Sequence, residues 1–377
     1  MKIHYFSGNA FPSRAANTVQ VMRMCAAFAR LGHSVTLITG GGPKALQAAD
    51  LFHYYDIEPA FAVRRIRRSR LPGNEHPWAL LAALQAKRER VDLVYGRSFL
   101  GCFYACRLGL PTVYEAHRPV DPRDRGRRRR AGRLLQSRSL RRLVVLSEAL
   151  SARFRRDFAV PEGRIVVAYN GADDPGEVSP LELPAASGRL RVGYAGGLYP
   201  GKGMELIGEV APSCRWAEFY VAGGAGAELE RWRARLAGCG NLQLLGHLPQ
   251  AQLAAFRAAM EVLLVPPKPA VGVAGGGTVE QAYAPPLKLF EALAAGKPVV
   301  CSDFLAEVVR DGEHALLRDP ERPELWVAAL ERLAEDAALR RRLAGGARRR
   351  FEDGLSWDSR ASLVLAGISG EPVGKPG

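Results

Sequence analysis

The chain has 377 residues, 47% of them hydrophobic and 24% charged, with 40 glycines and 25 prolines. That length exceeds one ordinary core and suits two α/β domains, and the balance excludes a disordered chain. The net charge of +15 is carried mostly by arginine, and no apolar run reaches the roughly 18 residues a membrane-spanning helix needs.

Along the chain, residues 2–6 read as a short strand that opens into a polar loop over 7–14. This is not the charged-then-apolar pattern of a secretory leader, so a cytoplasmic protein is expected. Val21, Met24, Cys25 and Phe28 recur at i, i+3, i+4 and i+7, one face of a helix over 15–31 that Gly32 stops. A second strand follows at 34–38, and this β-loop-α-β opening begins a doubly wound sheet. Strands at 91–95, 111–114, 143–146 and 164–168 continue it, with helices at 100–108 and, behind a Ser147 cap, at 148–158. Asn170-Gly171 is a turn. Residues 173–187 lack periodicity and are rich in Pro, Glu and Ser, which places a linker at 176–189 after a first domain of 1–175.

A second alternating unit occupies 190–356, with strands at 190–195, 218–222, 242–245, 262–265 and 298–301. Residues 357–377 come after that domain is complete and read as a helix crossing back to the first, followed by a tail. The fold class predicted is α/β, two facing Rossmann-like doubly wound domains, whose ligands bind at the carboxyl ends of the strands and in the cleft between the lobes. The six cysteines, Cys25, Cys102, Cys106, Cys214, Cys239 and Cys301, form neither C-x-x-C pairs nor a disulfide framework, so reduced and mostly buried thiols are expected.

Two segments carry the chemistry. In the stretch from Tyr283 to Asp303, Pro285 and Pro286 stand where a helix begins, a position that tolerates proline. The N–H groups of Leu287 and Lys288 are then free for an anion, reinforced by the helix dipole and by the Lys288 charge. Glu291, one turn on, is an acceptor-only group suited to the two hydroxyls of a ribose; alone, it would read as a solvated helix residue. The second segment, 193–203, is a strand, a glycine-rich loop with Gly196 and Gly197, and Lys202 before a helix, an arrangement that lets a backbone approach phosphates. Lys202 can neutralise the charge on a departing nucleoside diphosphate.

Pro285-Pro-Leu-Lys288, Glu291, Gly296 and Pro298-Val-Val300 resemble the C-terminal signature of family-4 glycosyltransferases, a group of GT-B fold whose members mostly retain anomeric configuration. The resemblance implies a metal-independent transfer of a sugar from a nucleotide diphosphate donor, UDP-sugars favoured, to a glycan or lipid-linked acceptor. It assigns His117, Lys202 and Glu291 to catalysis. Donor contacts fall to Gly196, Gly197, Gly223, Gly224, His247, Leu248, Leu287, Lys288 and Glu291, with the backbone rather than the His247 ring reading the base. Arg14, Asn17, Glu115 and Tyr283 are assigned to substrate, and Arg118 supports them. Without the resemblance, His117 reads as a structural histidine and Asn17 equally as a helix cap. The chain departs from the family pattern twice: Tyr283 stands where the first of two glutamates is usual, with Glu280 nearby, and Gly197 stands at a usual arginine. Gly275-Gly-Gly277 is read as a mobile cover for the donor.

No cofactor and no metal are expected, since lysines occupy the place a cation would hold and no D-x-D motif lies in a donor context. Arginines cluster at 64–70 and again from Arg118 to Arg142. They suit an anionic membrane surface at the inner face, or are merely solvated, and no nucleic-acid module surrounds them. Two other classes compete. A sugar-nucleotide epimerase or phosphorylase has thin support. A non-catalytic nucleotide-sugar binder or partner subunit is favoured by the changes at Tyr283 and Gly197.

Overall fold

The structure, a computed structural model, describes residues 1–41, 48–66, 75–161, 163–183, 188–272 and 278–368. It divides into two compact units, Met1–Asn170 with the chain from Trp357, and Gly171–Ser356.

The first unit alternates strand and helix: β1 (Lys2–Ala10), α1 (Ala16–Arg30), β2 (Ser34–Gly41), α2 (Ala48–Tyr55), β3 (Ala62–Arg65), α3 (Glu75–Arg88), β4 (Leu93–Gly96), α4 (Phe99–Arg107), β5 (Thr112–Ala116), α5 (Arg125–Leu135), β6 (Leu140–Val145), α6 (Glu148–Asp157) and β7 (Ile165–Val167). The strands pair in parallel in the order β3-β2-β1-β4-β5-β6-β7. The order reverses between β1 and β4, so loops after these strands lie at the topological switch point. Helices cover both faces, which is why β4 and β5 are buried along their whole length, Glu115 included. Ser98, Asp124 and Ser147 cap the helices that follow them by accepting from the N–H groups of Gly101, Arg127 and Leu150.

The second unit contains β8 (Leu190–Ala195), α7 (Met204–Val210), β9 (Ala217–Ala222), α8 (Gly226–Arg235), β10 (Leu242–Gly246), α9 (Gln250–Ala259), β11 (Val262–Val265), β12 (Ala270–Gly272), β13 (Thr278–Glu280), α10 (Leu287–Ala294), β14 (Val299–Ser302), β15 (Leu316–Arg318), α11 (Pro323–Glu335) and α12 (Ala337–Glu352). Its sheet is again parallel, ordered β10-β9-β8-β11-β14-β15, while β12 and β13 form an antiparallel pair. Val192, Phe219, Val221, Leu264, Trp326 and Leu330 lie in its core.

The last helix, α13 (Trp357–Leu365), belongs to the first unit and packs on α1. The Arg30 guanidinium grips Asp358 through two nitrogens at 2.6–3.1 Å. At the other end Arg142 donates to the carbonyls of Leu363, Val364 and Ala366, which satisfies the helix terminus.

Some elements escaped the pattern reading. β3, β12, β13 and β15 are too short for their periodicity to register. The stretch expected as a linker is drawn onto the second unit: Asp174 pairs with Arg348 at 2.5 Å and the Leu181 N–H donates to the Ala255 carbonyl. All six cysteines are free thiols, and all but Cys239 are buried. Among the described residues no helix is long and apolar enough to cross a membrane.

Two glycine replacements test the packing of each unit separately. A Cβ on Gly346 in α12 would lie 1.9 Å from the Glu313 carbonyl oxygen, so Gly346→Ala is expected to destabilise the second unit by about 2–3 kcal/mol. A Cβ on Gly132 in α5 would meet nothing within 4 Å, and Gly132→Ala is expected to stabilise the first unit by ~0.5–1 kcal/mol through helix propensity. Urea unfolding midpoints read both; a destabilised G132A or a neutral G346A would contradict this packing.

Candidate functional site

In the second unit three glycine turns follow the carboxyl ends of adjacent strands β8, β9 and β10. The Gly196 N–H donates to the Ala222 carbonyl at 2.9 Å, and the Gly223 N–H donates to the Gly246 carbonyl at 2.7 Å. A Cβ on Gly223 would lie 1.7 Å from the Gly196 carbonyl oxygen, so only glycine lets the turns approach this closely. Gly224 continues the same turn. Beyond Gly246, His247 is exposed and Leu248 partly buried.

The helix α10 starts at Leu287, with Pro286 as an N-cap that offers no side-chain acceptor. The N–H groups of Leu287 and Lys288 have no partner among the described residues, so the helix presents bare donors there. The Lys288 side chain runs to the glycine loop after β8. Its ammonium donates to the Lys202 carbonyl at 2.9 Å and sits 4.2 Å from the centroid of the Tyr194 ring. The Tyr194 hydroxyl lies 2.8 Å from the Gly197 carbonyl and 3.1 Å from that of Lys202, so it pins the same loop. Burial, and then the neighbouring Lys202 charge, hold the Lys288 ammonium well below the usual lysine range; burial also lowers Lys202. Neither lysine has a carboxylate at ion-pair distance among the described residues. Both lysines are only partly exposed, and two like charges beside unused N–H groups have the chemistry to hold an anion.

Glu291 lies one turn beyond Lys288 on α10, and its Oε2 accepts from Arg257 of α9 at 3.3 Å. The carboxylate is thereby held through one of its two oxygens. Tyr283 sits in the turn after β13, its N–H donating to the Glu280 carbonyl at 3.2 Å, and Glu280 itself is exposed. Among the described residues no hydrogen bond joins either side chain to the lysine pair or to Glu291. The segment at 275–277 lies outside the described residues.

In the first unit Glu115 is the hub. Its Oε1 accepts from the Gln20 amide and from His117 Nε2, both at 2.5 Å, and its Oε2 accepts from the Tyr95 hydroxyl and from Arg360 at 3.1 Å. Burial alone would raise this carboxyl, but the Arg360 charge, with the His117 hydrogen bond and Arg97, holds it well below the usual range. Burial, followed by the Arg97 charge, lowers His117 to about 4, so the imidazole is neutral near pH 7. Arg97 donates to Gln20 Oε1 at 2.6 Å and to the Asn17 carbonyl at 3.0 Å. Asn17 lies inside α1, whose N-cap is Ala15 without a side-chain bond, so the cap reading fails. Its Oδ1 is buried with no partner among the described residues. Arg14 and Arg118 are exposed.

The predicted residues thus gather into two groups. Gly196, Gly197, Lys202, Gly223, Gly224, Leu287, Lys288 and Glu291 line the strand ends of the second unit, while Glu115, His117 and Asn17 meet in the first. Arg257, Tyr194, Gln20, Tyr95, Arg97 and Arg360 were not foreseen. For Arg360 a signal exists: it occupies the apolar stripe Trp357, Ala361, Val364 and Leu365, where a charge has no bland reason to be.

Residues 18–174 match the model of Glycosyltransferase Family 4, and residues 189–336 match that of Glycosyl transferases group 1. A D-inositol 3-phosphate glycosyltransferase of Nocardioides sp. is 43% identical over 77 residues, 20% of this chain and 17% of that relative, so the match spans less than a fifth of its length. Among solved structures, Anabaena HepE in complex with UDP aligns with a TM-score of 0.72 at 18% identity, covering 98% of this chain and 100% of that one. HepE is also known with UDP-glucose, at a TM-score of 0.70. Sucrose-phosphate synthase from Thermosynechococcus elongatus aligns at a TM-score of 0.72 and 20% identity over 96% of both chains. At these identities the structural matches establish the fold.

A charge kept in a poor place costs stability. Lys288→Met keeps the volume and removes the enclosed ammonium, and is expected to stabilise the second unit by about 1 kcal/mol. The wild type holds fewer protons folded than unfolded between the depressed Lys288 pKa and 10.5, so its stability climbs with pH in that window. The variant should climb less. Urea unfolding across neutral to alkaline pH checks both signs, and an unstable K288M with an unchanged pH slope would refute the enclosure.

Proposed function

Because the chain belongs to glycosyltransferase family 4, we propose that it transfers a sugar from a nucleoside diphosphate donor, with UDP-sugars favoured, onto a glycan or lipid-linked acceptor. The observation that carries this reading is the Lys202–Lys288 couple, without a carboxylate partner among the described residues, at the bare start of α10. A diphosphate supplies the negative charge this site lacks. Binding it places two ammoniums and the N–H groups of Leu287 and Lys288 where charge grows as the nucleotide departs, the electrostatic stabilisation that transfer most needs. Glu291, with Oε2 fixed by Arg257, offers Oε1 to the ribose hydroxyls. The glycine turns at 196–197 and 223–224 bring backbone close to the donor, and the 246–248 backbone reads the base. The HepE complexes with UDP and UDP-glucose support the choice of donor class.

On the first unit, His117 is assigned to the transferred sugar, with Asn17 and Arg14 on the substrate side. The resemblance to the family supports a retaining course. No metal is invoked, since the lysine pair meets the diphosphate charge, and no other cofactor is needed. The second reading, a nucleotide-sugar binder without turnover, is favoured by Tyr283 and Gly197.

A thermal-shift panel of nucleoside diphosphates and their sugars tests the donor site. A ligand at one hundred times its Kd stabilises by about 2.7 kcal/mol, and UDP or a UDP-sugar is expected to give the largest shift. Lys288→Met and Glu291→Gln should each weaken it at least tenfold, and EDTA should change neither binding nor rate. A panel without any response defeats the proposal; binding without nucleotide release for any acceptor supports the second reading.

The arginines have a separate role in the proposal. Arg127 and Arg128 lie over the rings of Phe99 and Phe158, and Arg142 caps α13, so these three serve the fold. Arg67, Arg68 and Arg70 lie outside the described residues. Arg118, Arg123, Arg125, Arg129 and Arg133 are exposed and suit an anionic lipid surface at the inner membrane face. Co-sedimentation with phosphatidylglycerol vesicles is expected at low salt and should vanish near about 0.5 M salt, where the Debye length is only a few ångströms. Binding indifferent to salt and to lipid charge would remove this assignment.

A further inference from the structure

The helix α13 reaches the carboxylate that holds the imidazole to which the reaction is assigned. Arg360, on α13, is almost wholly buried. Its Nε donates to the Tyr169 carbonyl at 2.7 Å, and Nη2 lies 3.4 Å from the Ala168 carbonyl, beyond β7. Those contacts leave Nη1 aimed at Glu115, 3.1 Å from Oε2. Glu115 projects from the middle of the sheet and passes the constraint to His117 on its other oxygen.

We propose that Arg360 is a positioning residue for His117: acting through Glu115, it fixes the imidazole as the Nε2–H tautomer, so that Nδ1 is presented as a bare acceptor for a sugar hydroxyl. An ionised carboxylate has lone pairs and no proton to give. Oε1 already accepts from Gln20, so the hydrogen on the His117–Glu115 bond must belong to Nε2. A neutral imidazole protonated at Nε2 has only a lone pair at Nδ1. That atom accepts from a hydroxyl and repels an unprotonated phosphate or carboxylate oxygen. Selection of a hydroxyl at His117 therefore follows from a guanidinium more than two hundred residues away in sequence.

The groups facing the imidazole are Glu115 from β5, Arg97 from the loop after β4 and Arg360 from α13, with the hydroxyls of Tyr95 on β4 and Tyr5 on β1 beside Glu115. Two guanidiniums and burial disfavour a protonated His117, while Glu115 favours it. Removing Arg360 removes one positive neighbour and loosens the carboxylate, so both groups take up protons at higher pH.

The inference rests on the glycosyltransferase reading only for the identity of the hydroxyl, and its test does not need turnover. Full-length protein labelled with 15N-histidine is examined by long-range imidazole correlation, with His117→Gln to assign the signal. Wild-type His117 is expected as the Nε2–H tautomer, unprotonated from about pH 5 to 8. In Arg360→Met its pKa should rise by a unit or more and the tautomers should mix, while Arg360→Lys, which keeps the charge, should return it part of the way. In transfer assays R360M should lower kcat, leave donor KM nearly unchanged and acquire an acid limb absent from the wild type. An Nδ1–H tautomer in the wild type, or an R360M spectrum identical to it, overturns the proposal. If R360M does not fold, the wild-type tautomer and Tyr95→Phe, which strips one donor from Glu115, decide it in the same way. The expected tautomer in a protein that never releases nucleotide would sink the transferase reading and uphold this one.

Discussion

The hydrogen bond from Lys288 to the Lys202 carbonyl joins two segments that are each incomplete alone. A glycine loop after a strand is common, and so is a helix that begins behind two prolines. Bringing one lysine across to the other loop sets two positive charges beside the unused backbone donors at the start of α10. Tyr194 makes this arrangement durable, because its ring faces the Lys288 ammonium and its hydroxyl holds the loop carbonyls. The aromatic face offsets part of the desolvation of the cation. The remainder is left uncompensated by any carboxylate among the described residues, as the proposed donor site requires.

The first unit solves the opposite problem. There the buried charge is a carboxylate, and four elements send it donors: Gln20 from α1, Tyr95 from β4, His117 from the loop after β5 and Arg360 from α13. A carboxylate satisfied this fully needs no ligand, so its task is to orient what surrounds it. The same logic explains why α13 is integral to the first unit although the chain enters it last. Without that helix, Glu115 would lose its ionic partner and α1 would lose the Asp358 contact to Arg30.

Much of this was legible before any coordinates. The period-3.6 stripe of α1 and the Ser147 cap marked the α/β alternation, and Pro285-Pro286 marked the start of α10. Lys202, Lys288 and Glu291 stood out because glycine loops and helix starts have few chemical uses in combination. What stayed hidden were pairings set by topology rather than by local pattern. Arg257 holds Glu291 from a separate helix, and nothing within 250–259 distinguishes it from an ordinary surface arginine. Arg97 and Gln20 meet only because β4 lies beside β1. Short edge strands such as β3 and β15 carry too few residues for an alternation to show. Asn17 could equally be read as a cap because asparagine caps helices often, yet the helix is capped two residues earlier, at Ala15.

The position occupied by Gly197 shows how a missing side chain can be absorbed. A Cβ there would lie 3.1 Å from the Tyr199 ring, tighter than ordinary contact, and the Gly197 carbonyl is already committed to the Tyr194 hydroxyl. An arginine at this point would have to displace Tyr199 or tilt the loop that Tyr194 pins. The loop geometry and the glycine are therefore one choice. With the loop closed on Tyr194, Lys288 can lie over the aromatic ring and reach the Lys202 carbonyl, so positive charge is brought to this turn from the helix. The exchange keeps the sign of the site while moving its centre toward α10. A donor whose diphosphate sits close to that helix start would be favoured by this placement, because Coulomb attraction to an enclosed ammonium weakens with distance and with every intervening water.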